Sequence, residues 1–245
     1  MGKLYIFSGA GLSADSGIAT FRGKGGRWND VDVDKVANFN TWRENKKEVF
    51  DFYNERRVEM GSVKPNAAHQ TIAEFEKLLG SDRVVNMTQN IDHLLEDAGC
   101  SDVIHLHGDI NTMQCLNCGH KWDIGFTKFR LGDPCPECYS FDDVKPGVVM
   151  FYESAPRYVD LYTKFSQIST EDVILVIGTS GNVVPPQYIV PGGYEKTQAP
   201  HKFPFCILVN LDLGMFELQS FDLWFKSNAA ECLPEIKQLI LDKLQ

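Results

Sequence analysis

A chain of 245 residues, 43% of them hydrophobic, can bury a substantial core and fits one large domain or one domain carrying a smaller module. Its formal net charge of −9 at pH 7 disfavours broad neutralisation of phosphates, so direct nucleic-acid binding is not expected. No apolar run approaches a membrane span, and Met1-Gly2-Lys3 leads into the first apolar run without a signal-peptide core; the expectation is a cytoplasmic monomer that works away from membranes.

The first apolar run, residues 4–7, reads as a strand, and Gly9-Ala10-Gly11-Leu12-Ser13-Ala14 reads as a turn and helix start with the spacing G-x-G-x-x-G/A. Such a turn lets backbone N–H groups approach a pyrophosphate, so a dinucleotide is the first ligand to consider. An ordinary strand-to-helix connection is the alternative. A dehydrogenase would continue with a second strand and an acidic residue about 20 positions on. Here Thr20-Phe21-Arg22-Gly23-Lys24-Gly25-Gly26-Arg27-Trp28 follows instead, and Asp30, Asp32 and Asp34 follow no apolar strand. Nucleotide binding is retained, while simple hydride transfer loses ground.

Residues 40–60, dense in aromatic and charged side chains, predict one or two helices of an appended module. A helix over 47–60 puts Tyr53 and Arg56 on one face, because residues three apart are neighbours on a helix surface. A packed tyrosine beside a solvated arginine is the plain alternative. The spacing at 66–79 predicts a helix with Ala67, Ile72, Phe75 and Leu79 inward. Strands are expected at 84–87, 103–106, 148–151, 173–177 and 206–209, and further helices at 155–165 and 233–244. The proline- and glycine-rich stretch 183–205 shows no helical pattern. Alternation of this kind predicts an α/β fold with a mainly parallel sheet covered by helices.

Four of the seven cysteines are ordered Cys115-x-x-Cys118 and Cys135-x-x-Cys138 with sixteen residues between the pairs, the spacing of a zinc ribbon. Four thiolates close a tetrahedron and leave no position for water, so one structural Zn²⁺ is expected rather than a catalytic one. Cys100, Cys206 and Cys232 sit in apolar surroundings and read as buried, inert thiols.

Polar clusters follow the predicted strands, where ligands bind in open α/β sheets. They are Thr88-Gln89-Asn90-Ile91-Asp92, His107-Gly108-Asp109, Gly178-Thr179-Ser180 and Asn210. Each alone could be a cap or turn residue, Asp92 in particular. His105 points to the opposite face from His107 if both lie on a strand and reads as structural.

These residues carry a resemblance. Residues 9–23 match the sirtuin signature G-A-G-x-S-x-x-S-G-I-x-x-F-R-G, residues 88–92 match T-Q-N-I-D, and His107-Gly108 matches the H-G that follows. Gly178-Thr179-Ser180 and the four-cysteine ribbon lie in the expected order, so the resemblance spans nearly the whole chain. It implies an NAD-dependent protein-lysine deacylase of the compact bacterial type, acting on acylated-lysine proteins or peptides and releasing nicotinamide and O-acyl-ADP-ribose. The implied fold is a Rossmann-like NAD-binding domain (1–28, 65–111 and 145–245) with a small domain of helix and zinc ribbon (29–64 and 112–144).

By the same resemblance the NAD site comprises Gly9, Ala10, Gly11, Ala14, Asp15, Thr20, Phe21 and Arg22, then Gln89, Asn90, Ile91 and Asp92, and finally Gly178, Thr179, Ser180, Asn210 and Ala229. Phe21 and Arg22 belong to a loop that closes over the nicotinamide ribose. His107 is the implied base, because a neutral imidazole can accept a ribose hydroxyl proton near neutral pH, and Asn90 and Asp92 complete the catalytic set. Val149, Phe151 and Glu153 are implied for the acyl-peptide. Tyr53 and Arg56 have the Tyr-x-x-Arg spacing of relatives that accept succinyl- and malonyl-lysine, where arginine grips the distal carboxylate. Lys24 stands where those relatives carry a small residue, and Tyr152 where the family carries Gly, which puts a bulky side chain on the substrate path. NAD glycohydrolysis or ADP-ribosyl transfer is the alternative activity, and a zinc-ribbon binding module with a vestigial nucleotide site is a third class.

Overall fold

The computed structural model describes residues 1–20 and 31–245; the positions of Phe21, Arg22 and Lys24 lie outside the described residues. Strand β1 (Leu4–Ser8) leads into the glycine turn, and two single 3₁₀ turns at Ala10–Leu12 and Ala14–Ser16 replace the expected α-helix. Gly17, at φ 94°, ends the second turn. Helices α1 (Val33–Val36), α2 (Lys46–Met60) and α3 (Ala67–Leu79) follow, then β2 (Val84–Thr88), α4 (Leu94–Asp97) and β3 (Val103–His105). Strands β4 (Gly108–Cys115), β5 (Lys121–Asp123) and β6 (Val144–Val148) form an antiparallel sheet in the order β5-β4-β6. The chain closes with α5 (Tyr158–Phe165), β7 (Val173–Ile177), α6 (Gly193–Gln198), β8 (Phe205–Val209), β9 (Leu223–Phe225) and α7 (Ala229–Lys243).

The main sheet of the described residues runs β3-β2-β1-β7-β8-β9 with every neighbouring pair parallel. This is the doubly wound order, in which the chain reverses direction across the sheet between β1 and β7 and opens a crevice at their carboxyl ends. The central strands are apolar without a break because helices cover both faces. Leu4 and Ile6 of β1, with Val173, Leu175 and Ile177 of β7, join the core under α3 and α7. Tyr5 and Phe7, with Ile174 and Val176, face the other way against Leu161 of α5. A third cluster holds Phe50 and Tyr53 of α2 against Ile110 and Met113 of β4. No helix of the described residues is long and apolar enough to cross a membrane.

Several expectations need correction. The apolar run at 148–151 is not a strand of the parallel sheet; the strand lies earlier, at β6, antiparallel to β4 and carrying the buried Lys145 and Pro146. Val149 and Phe151 instead donate singly to the carbonyls of His107 and Ala37. Helix α3 is phased by the Asn66 capping box, so Ala68 is buried and Ala67 exposed. Helix α5 starts at Tyr158, after a turn containing Pro156, and α7 starts at Ala229 and runs through Pro234. The 183–205 stretch does contain a helix, the six-residue α6, whose buried Lys196 donates to the Pro204 carbonyl and pairs with Asp222. Edge strand β9 is too short, and too little buried, to stand out in the sequence.

Candidate active site

The crevice between β1 and β7 is built on close backbone contact. The Gly11 N–H donates to the Gly178 carbonyl at 2.9 Å, and a Cβ on Gly11 would stand 2.6 Å from Gly178 Cα. Gly178 itself has φ 58°, in the region that favours glycine. The crevice opens into a cavity of about 450 Å³ lined by Gly9, Ala10, Gly11, Ala14, Thr20, Gln89, Asn90, His107, Gly178, Thr179, Ser180, Asn210 and Ala229. Gln89 Nε2 donates to Thr179 Oγ1 (2.8 Å), and Asn210 Nδ2 donates to the Thr179 carbonyl (2.9 Å), tying the ends of β2, β7 and β8 together. The α-helix whose first turn meets this cavity is α7, facing the 3₁₀ turns of the glycine segment. Asp15 is exposed and off the cavity, and Ile91 faces a second cavity.

His107 stands at the join of both cavities, between β3 and β4. Its Nδ1 lies 3.0 Å from the Gln89 carbonyl and its Nε2 lies 2.9 Å from the Tyr158 hydroxyl. A carbonyl oxygen only accepts, so Nδ1 carries the proton and Nε2 presents the lone pair. Burial holds the imidazole down to about 4, against the opposing pull of the Gln89 carbonyl, so the ring is neutral at pH 7. Gly108, at φ 79°, makes the turn out of the parallel sheet, where any side chain would collide with the Gly147 carbonyl.

Asn90 on the wall of the first cavity and Asp92 behind it are both buried. Ser13 Oγ donates to Asp92 Oδ2 at 3.0 Å and accepts from Asn90 Nδ2 at 3.1 Å. The fully buried His69 stands 3.4 Å from the same Oγ, with its Nδ1 accepting the Asn66 N–H. Burial raises the Asp92 carboxyl above its ordinary range, although the Leu94 N–H and Ser13 oppose it. His105 is structural, as expected: it bridges the Asn90 carbonyl and Glu96.

The second cavity, about 300 Å³, is lined by Tyr53 and Arg56 of α2, by Ile91, and by Val149, Phe151 and Glu153 beyond β6. Arg56 is only 8% exposed, so the solvated alternative fails; it pairs with Glu59 at 3.4 Å and lies over the Phe52 ring. Glu153 forms a buried ion pair with Lys145 at 3.1 Å and accepts the Met150 N–H. Tyr152 does not fill this cavity. It sits at the rim, 75% exposed, with φ 66°, a strained value for a residue with a side chain.

The four ribbon cysteines converge. Their sulfurs all lie within 4.8 Å of one another, with 3.5 Å between Cys115 and Cys138 and 3.7 Å between Cys118 and Cys135. Disulfide sulfurs would be about 2.05 Å apart, whereas four thiolates on one Zn²⁺ stand ~3.8 Å apart. The set is positioned to bind one structural metal ion. Cys100, Cys206 and Cys232 are buried, and burial pushes their thiols up to about 12, 11 and 11, the inert condition expected of them.

The profile of the Sir2 family matches residues 9–185. The chain belongs to the Sir2 family. It is 42% identical to an NAD-dependent protein deacylase of Helicobacter hepaticus, over 97% of each chain. A protein of that name from Campylobacter jejuni is 45% identical over 76% of this chain and 77% of its own. The solved complex of a Sir2 homologue with NAD superposes with a TM-score of 0.79 at 30% identity, covering 99% of this chain and 91% of the other.

In this Sir2 chain the structure also brings forward residues that were not singled out from the sequence. Ser13 lay inside the signature, and His69 lay three positions after the helix-capping Asn66, so both had a local signal. Tyr158 had none, because its contact with His107 spans 51 positions.

Proposed function

We propose that this chain is an NAD-dependent protein-lysine deacylase, with Gly9, Ala10, Gly11, Ala14, Thr20, Gln89, Asn90, Asp92, Gly178, Thr179, Ser180, Asn210 and Ala229 holding NAD. The observation that carries this reading is the position of His107, whose neutral Nε2 stands where a glycine-walled cavity meets a cavity walled by Tyr53 and Arg56. NAD, when bound, supplies a ribose carbon made electrophilic by departure of nicotinamide, and a ribose hydroxyl that accepts the acyl group. The close approach of Gly11 and Gly178 leaves room for a backbone-lined phosphate cradle, and the polar ends of β2 and β8 suit ribose hydroxyls.

His107 takes the hydroxyl proton at Nε2, while the Gln89 carbonyl keeps the other nitrogen protonated and the ring oriented. General-base help of this kind is worth roughly 10²–10⁴-fold. Asn90 and Asp92, locked by Ser13, present fixed polar groups beneath the cavity. Their burial keeps competing water out. Val149, Phe151 and Glu153 line the path of the acyl-lysine. The division into an NAD-binding part (1–28, 65–111 and 145–245) and a small part (29–64 and 112–144) is supported by the separate apolar cluster of α2 and the antiparallel sheet.

The acyl range extends from acetyl to the acidic succinyl and malonyl groups, because Arg56 is a poorly solvated guanidinium on the wall of the acyl cavity. Its partner Glu59 is half exposed and can turn to solvent when a substrate carboxylate takes its place. Mass spectrometry of NAD reactions with acetyl-, succinyl- and unmodified peptide tests both statements. Nicotinamide release coupled to acyl loss is expected. Equal NAD consumption without acyl-peptide would replace deacylation with glycohydrolysis.

A further inference from the structure

We propose that Tyr158 is a positioning residue for the His107 base: its hydroxyl holds Nε2 and yields that nitrogen to a cosubstrate hydroxyl. The inference rests on the deacylase reading and adds to it a residue from α5, an element outside the NAD-site motifs. Four observations carry it. The Tyr158 hydroxyl stands 2.9 Å from Nε2, the one ring nitrogen left with a lone pair by the Nδ1–Gln89 bond. Tyr158 lines the second cavity beside His107. Its ring is held edge-on by Tyr162, whose ring in turn packs on Tyr188, so the hydroxyl is presented by an aromatic row. Leu161, on the same helix, is fully buried in the core and anchors α5.

The proton arithmetic is simple. The Tyr158 O–H donates to Nε2 without proton transfer. With a ribose hydroxyl in its place, Nε2 would accept that hydroxyl's proton as the O–H bond breaks and the oxygen bonds to the acyl carbon, whose π-electron pair would pass to its attached heteroatom; Tyr158 keeps its own proton throughout. Burial pushes the phenol up to about 12, which favours the retained proton. The titratable groups that share the two cavities with His107 are Tyr53 and Arg56 from α2, Tyr152 and Glu153 from the segment after β6, Tyr158 from α5 and Asp212 from the segment after β8. Burial and the Gln89 carbonyl, rather than a neighbouring charge, set the His107 ionisation.

A donor on Nε2 stabilises the neutral ring and competes with the incoming hydroxyl. Tyr158→Phe therefore makes the His107 ring easier to protonate and the nitrogen easier to reach. NMR titration of ring-labelled, ligand-free enzyme should show the His107 pKa rising by about half to one pH unit, the worth of one neutral hydrogen bond. Steady-state kinetics should show KM for NAD falling roughly 2- to 10-fold with kcat nearly unchanged. The acid limb of kcat/KM should move up in pH, while that of kcat, set in the loaded enzyme, stays in place.

An unmoved His107 pKa with an unmoved KM would overturn the inference. A joint loss of kcat and Tm at constant His107 pKa would reduce Tyr158 to a structural residue and overturn it too. The NMR arm needs no turnover, so the deacylase reading can fail separately: a wild-type chain that removes no acyl group yet shows the pKa difference would refute that reading, and with it the role of Tyr158 in the reaction.

Discussion

An Arg56→Met substitution keeps an unbranched apolar stem but deletes the guanidinium, which lies over the Phe52 ring on the wall of the acyl cavity. A hydrogen bond to a charged group in such a poorly solvated place contributes about 1.5–3 kcal/mol. Against this stands the Glu59 pair that a substrate carboxylate must displace, and its half-exposed carboxylate limits that pair to about 0–1 kcal/mol. The net, about 0.5–3 kcal/mol, corresponds to a roughly 2- to 150-fold loss of kcat/KM. The loss should fall on succinyl- and malonyl-peptides at saturating NAD and leave acetyl-peptide within about twofold, because acetyl has no distal oxygen to hold. Tyr53→Phe should give a weaker selective loss, since it removes one buried hydroxyl and keeps the ring packed against Phe52. The reasoning would be refuted by equal losses on acetyl- and succinyl-peptide. Transfer of the selective loss to Lys24→Ala would assign the contact to Lys24 instead.

Three further outcomes are expected. His107→Ala should abolish deacylation while calorimetric NAD affinity stays within a few-fold, because the lost step follows binding; an active variant would remove His107 from the mechanism. Cys115→Ala should lower Tm and zinc content together, since metal binding free energy at a four-thiolate site is folding free energy; a stable, zinc-loaded variant would contradict the ribbon assignment. His93, raised to about 9 chiefly by its bond to Asp109 (2.8 Å), gains a proton on folding, so its stabilisation is complete below about pH 6.5 and disappears as pH rises through 9. Melts should therefore show Tm falling between pH 6.5 and 9 with a shallower slope in His93→Gln, and identical slopes would rule out the pair as the cause.

Much of the site was legible because its signals are local. The glycine turn, the polar residues that end β2, β3, β7 and β8, and the paired cysteines are runs of neighbours whose spacing dictates turn geometry or chelation. The continuous apolar character of β1 and β7 likewise announced strands buried on both faces. Where the reading went astray, a distant partner decided the outcome. Residues 148–151 have strand composition, but the Val149 and Phe151 N–H groups are taken singly by His107 and Ala37, and the true strand hides a buried lysine held by Glu153 and by the Pro146 and Val148 carbonyls.

By itself the sequence determined a mainly parallel sheet covered by helices, the order of its ligand-bearing turns and the four-thiolate cluster, since periodicity and short spacings act along the chain. Only the tertiary structure decided which of these turns share a cavity, that Arg56 is withdrawn from solvent, that Ser13 and His69 lock Asp92 and Asn90, and that Tyr158 meets His107. Those facts depend on contacts between residues tens of positions apart. Such contacts arise when layers pack, and no local pattern encodes the partner on the facing layer.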